Sequence, residues 1–83
     1  KARTRTLSNK ERYEYQNIEA AILEAEARAG SCEAQTVDPA TLADHVRSAE
    51  AFADLAAAQQ EVARLYARWE ELEAIVSGRA DPT

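Results

Sequence analysis

Leu55, Ala58, Val62, Leu65, Trp69, Leu72 and Val76 recur at alternating steps of three and four residues. Such spacing draws one narrow apolar seam along a helix and requires a second helix against it. A second seam, Tyr15, Ile18, Ile22, Ala25 and Ala29, carries the same alternation earlier in the chain. Two seams with few breakers between them predict two helices and no sheet, for the chain holds only two Gly and two Pro. Of 38 nominally hydrophobic residues 19 are Ala, so a deep globular core is excluded and close helix–helix packing is favoured.

Local signals place the helix ends. Ser8 followed by Glu11 forms a capping box: the hydroxyl accepts from the third helical amide and the carboxylate reaches back. Gly30-Ser31 reads as the stop of this first helix, with residues 30–38 as a loop holding Cys32, though helix could persist to about Ala34. Asp38-Pro39 reads as the next start, Asp at the cap and Pro where no amide proton is needed. From Pro39 no breaker occurs before Ser77-Gly78, a stretch of 38 residues, roughly 57 Å of helix. Upstream of Leu55, the residues Leu42, His45, Ala49, Phe52 and Ala56 form a stripe in another phase. That predicts irregular packing near Phe52 and a half-buried His45.

The expected fold class is therefore all-α: an antiparallel two-helix coiled-coil hairpin with an extended basic N-terminal arm. Its expected divisions are the arm over residues 1–7, a coiled-coil domain over 8–77 with helices at about 8–29 and 39–77, and a tail over 78–83. With a first helix this short the second would overhang it, leaving Trp69, Leu72 and Val76 unpartnered. The arm is long enough to run back over them, which would bring Leu7 near Leu65 and Trp69, and Arg3 and Arg5 beside Glu70, Glu71 and Glu73. An uncovered Trp69 end would instead favour dimerisation.

Charge divides the chain unevenly. Residues 1–12 carry a net +4, residues 13–83 a net −9, and the whole a net −5. A basic arm on an acidic rod points to phosphate contact at one end only, weak, salt-sensitive and blind to base sequence. The candidate nucleic-acid-binding residues are Lys1, Arg3, Arg5, Lys10 and Arg12, with Tyr13 to stack on an unpaired base and Arg64 and Arg68 to extend a basic strip. No catalytic, cofactor-binding or metal-binding residue is expected: the glycines are isolated, the phosphate-loop pattern G-x-x-x-x-G-K-[ST] is absent, and one Cys with one His closes no zinc site. No apolar run is long enough for a bilayer and no signal segment occurs, so a cytoplasmic, monomeric piece of a longer protein is expected.

Two stretches support a more specific reading. Leu7-Ser8-Asn9-Lys10-Glu11 resembles an L-S-x-K-E helix start, and Arg68-Trp69-Glu70-Glu71-Leu72-Glu73 resembles a closing R-W-x-x-L-E motif. With a helix, an Asp-Pro loop and a second Ala/Glu-rich helix between them, they resemble the C-terminal domain of ABC-F proteins. These are the soluble, non-transporting subfamily of ATP-binding-cassette ATPases. The resemblance covers about residues 7–76; Asn9 stands where the family often has an aromatic, and Tyr15 where it usually has Leu. It implies a non-catalytic hairpin appended to nucleotide-binding domains of the same chain, with ATP and magnesium held by that parent. It also implies a role in engaging nucleic acid, DNA or ribosomal RNA. The competing reading is a protein-interaction or spacer coiled coil without nucleic-acid binding.

Overall fold

Helix α1 spans Asn9–Thr36, α2 is the single turn Pro39–Leu42, and α3 spans His45–Val76. These come from a computed structural model that describes residues 6–78. α1 and α3 run antiparallel and pack along most of their length, about 42 and 48 Å at 1.5 Å per residue. The all-α hairpin expected from the two seams is the fold observed.

The capping box forms as the sequence implies. The Ser8 amide donates to Glu11 Oε1 at 3.0 Å, and the Glu11 amide donates to Ser8 Oγ at 3.1 Å. At the far end α3 closes on Ser77, with Gly78 in the left-handed region at φ 77° and its amide donating to the Ile75 carbonyl. Gly is the residue that takes this conformation without a Cβ clash.

The turn lies elsewhere than expected. α1 does not stop at Gly30-Ser31 but continues to Thr36, and residues 30–36 are helix rather than loop. A helical Gly costs only about 1 kcal/mol relative to Ala, and continuation lets the seam persist through Cys32 to Thr36. Thr36 is buried, its hydroxyl donating to the Glu33 carbonyl at 2.6 Å. The second helix is broken rather than continuous. Asp38 caps only α2, accepting from the Thr41 amide at 3.2 Å. Asp44 is extended and caps α3, its Oδ1 accepting from the Val46 and Arg47 amides at 2.9 and 3.2 Å.

Moving the turn resets the register. The N-terminal end of α1 now lies against the C-terminal end of α3, so no overhang remains. Leu72, expected to lack a partner, is 0 % exposed and clusters with Ile18, Ile22, Ala25 and Leu65. Leu7, Tyr15, Val62 and Trp69 pack around that cluster. The rest of the arm, Lys1 to Arg5, lies outside the described residues, as does the tail from Arg79.

The second phase expected upstream does not form. Ala51 and Ala58 are buried, one heptad apart and in register with Leu65 and Leu72, so one seam runs the length of α3. Leu42, His45, Ala49, Phe52 and Ala56 face solvent. His45, expected half-buried, is the exposed first residue of α3, and Cys32 sits half-buried on helix α1 rather than in a loop. At the lower end of the seam Ile75, not Val76, turns inward.

Gly30 has a testable consequence. It is exposed and helical, and a Cβ built on it would meet nothing within 4 Å. Gly30→Ala is therefore expected to stabilise the hairpin by about 1 kcal/mol. A rise of roughly 4–8 °C in the midpoint of thermal unfolding, followed by circular dichroism, is the corresponding readout.

Candidate nucleic-acid interface

The start of α1 presents its side chains in two directions. Glu11, Tyr15, Ile18 and Ile22 follow the seam inward. Lys10, Arg12 and Tyr13 fall on the outer arc and are exposed, Tyr13 to 72 %. Two cations and an aromatic ring thus stand beside the first-turn amides, where the helix dipole favours anions. Tyr13 also keeps its backbone tied, for its carbonyl accepts from Asn17 Nδ2 at 2.7 Å. Lys1, Arg3 and Arg5 lie outside the described residues.

The two arginines of α3 are engaged within the hairpin. Arg64 grips Glu61 through two hydrogen bonds of 2.8 and 2.6 Å, on a largely exposed surface. The contact holds the Glu61 carboxyl below its ordinary range and raises the guanidinium. Arg68 is more deeply committed. Its Nε and Nη2 donate to the two carboxylate oxygens of Glu14, at 2.8 and 2.9 Å, and its Nη1 donates to Glu71 at 2.9 Å. Glu11 stands 3.7 Å away as a third acid. A fork-to-fork pair is the strongest geometry open to Arg and carboxylate. It lowers the Glu14 carboxyl, first through the Arg68 hydrogen bond, and raises the Arg68 guanidinium. A guanidinium already shared among carboxylates is a poor phosphate ligand, so Arg68 acts as a bridge between α1 and α3.

Sequence reasoning missed this bridge and two others. Tyr15 Oη donates to Glu73 at 2.6 Å, and Tyr66 Oη donates to Glu26 at 2.7 Å. Each bond raises its phenol. All three join a residue of α1 to one of α3, and only the register says which meets which. The two quoted motifs thereby acquire a physical role. The L-S-x-K-E start provides the cap, while Arg68, Trp69, Leu72 and Glu73 of the closing motif bind that end of α1 to α3.

A family model described as ABC transporter C-terminal domain matches residues 6–74, from the capped start of α1 to the last turns of α3. The chain belongs to that family. The match contains both motifs and every inter-helix bridge described above, so the domain is the hairpin itself. Comparison with curated proteins and with solved structures gives no match.

Gly30 is helical and Gly78 caps α3, so neither lies in a phosphate loop. Among the described residues no group of three or more His, Cys, Asp or Glu is arranged to hold a metal ion. Among the same residues no helix is long and apolar enough to cross a membrane.

Proposed function

We propose that this domain is the non-catalytic C-terminal hairpin of an ABC-F ATPase and that it helps its parent hold nucleic acid, DNA or ribosomal RNA. The observation that carries the reading is the exposed set Lys10, Arg12 and Tyr13 at the amide end of α1, continuous in sequence with Lys1, Arg3 and Arg5. Five cations on twelve residues meet phosphate at one end, while the acidic remainder repels it. Arg68 drops out of the interface, and Arg64 joins only by leaving Glu61. The parent, a cytoplasmic protein in this reading, would supply the nucleotide-binding domains that hold ATP and magnesium. The basic linker over residues 1–7 would connect them to a monomeric hairpin.

Fluorescence anisotropy with a labelled duplex and a labelled single-stranded RNA tests this. Contact with about four phosphates predicts log affinity falling with log salt at a slope of roughly −3 to −4. Replacing Arg3, Arg5, Lys10 and Arg12 together by Gln is expected to abolish binding. Tyr13→Ala is expected to weaken the single strand more than the duplex, because stacking needs an unpaired base. Unchanged affinity in the fourfold variant would support the spacer or protein-interaction reading, which the exposed Val37, Leu42, Val46 and Phe52 near the turn favour.

A further inference from the structure

The hairpin has two sides of different chemistry. At 100° per residue, Ala21, Arg28 and Cys32 lie on one flank of the α1 seam, and Glu19, Glu26 and Glu33 on the other. The groove on the first side mixes charges, with Arg28 and Arg64 beside Glu24, Asp54 and Glu61. On the second side a groove of about 290 Å³ is lined by Glu19, Ile22, Leu23, Glu26, Tyr66 and Trp69. Both of its charged residues are carboxylates, and among the described residues no ion pair reaches either. Trp69 and Tyr66 meet edge to face, with centroids 6.4 Å apart and planes at 70°. Tyr66 Oη holds Glu26 in place at the groove wall.

We propose that this groove docks an arginine-bearing extended segment of a partner protein. A guanidinium combines a flat face that stacks on an indole with a fork of donors that matches a carboxylate. The groove offers both complements at once, for the rings of Trp69 and Tyr66 and the carboxylates of Glu19 and Glu26 all line it. Nucleic acid is the wrong charge for this side, so the surface is separate from the basic end of α1. Lysine fits less well, for its ammonium is more strongly hydrated and has no planar face to stack.

Trp69 is the chain's one tryptophan and reports on the groove directly. Titrating the full chain with a hexa-arginine peptide is expected to shift Trp69 emission saturably. Glu19→Gln with Glu26→Gln, both at exposed positions, should weaken the peptide at least tenfold with unchanged circular dichroism. Glu24→Gln with Glu50→Gln removes the same charge elsewhere and should change affinity less than twofold. Hexa-lysine should bind more weakly than hexa-arginine. Equal weakening by the two pairs of substitutions would overturn the proposal, reducing it to net charge. So would an emission shift caused by an oligonucleotide and not by the peptide. Deletion of residues 1–5 that shifts emission without peptide and raises peptide affinity tenfold would identify the chain's own arm as occupant instead. Emission that depends on protein concentration without peptide would identify a second copy.

Discussion

Leu72→Ala is expected to leave the hairpin largely unfolded at room temperature. Among the described residues Leu72 is the one large side chain below 2 % exposure, and it clusters with Ile18, Ile22 and Leu65. Removing three buried carbons forfeits their transfer free energy and leaves a cavity, together about 2–5 kcal/mol. A domain of this size with an Ala-rich interface has roughly 3–5 kcal/mol of stability in total. The loss is therefore comparable to the whole. Circular dichroism at 222 nm should show most of the helical signal gone, or a midpoint lowered by roughly 12–24 °C if about 3 kcal/mol is lost. Val76→Ala is the control. Val76 belongs to the same seam on sequence spacing but is 51 % exposed, so its loss should cost well under 1 kcal/mol. Equal destabilisation by the two would mean that Val76, not Ile75, faces α1.

That contrast marks how far the sequence carries. The seams from Tyr15 to Ala29 and from Leu55 to Leu72 were legible because three-four spacing is a local consequence of helix geometry. The Ser8–Glu11 box and the Gly78 stop were legible for the same reason: each partner lies within one turn of the other. The turn was not. Gly30-Ser31 and Asp38-Pro39 are a plausible stop and start, and each choice of break differs from the next by about 1 kcal/mol of local propensity. What decided it was long-range: with α1 continued to Thr36, both Thr36 and Ala51 are buried at the turn end of the hairpin. Two signals pointed that way, the uninterrupted steps Ala25, Ala29, Cys32, Thr36 and the position of Ala51 one heptad before Ala58. The candidate site divided along the same line. Lys10, Arg12 and Tyr13 were legible as exposed because they lie off a local seam. The engagement of Arg68 was hidden because it spans 54 positions and depends on the register that the turn sets.

The bridge between α1 and α3 should be the largest polar contribution, and it should be sensitive to acid. Arg68→Ala removes the fork on Glu14 and the bond to Glu71, and exposes the stem's apolar contacts; about 2 kcal/mol is expected. Both side chains are about a third exposed, so the pairwise part is discounted for solvent. A double-mutant cycle of Glu14→Gln with Arg68→Ala should return about 1 kcal/mol of coupling. Arg68→Lys should lose most of that coupling, because an ammonium cannot satisfy both carboxylate oxygens in the fork geometry. The pH dependence follows from the direction of the Glu14 shift. Its folded pKa lies below the unfolded one, chiefly through the Arg68 hydrogen bond, so the folded state holds the ionised form more tightly. The stabilisation is fully present above the unfolded value, about pH 4.3. It is lost as the pH falls through the folded pKa. Denaturant midpoints measured from pH 7 to pH 2 should therefore drop below about pH 4.3. In Glu14→Gln the fall should be shallower by the part that Glu14 supplies. An acid limb of the same depth in both proteins would mean that Arg68 does not depend on Glu14, leaving Glu71 and Glu11 to hold it.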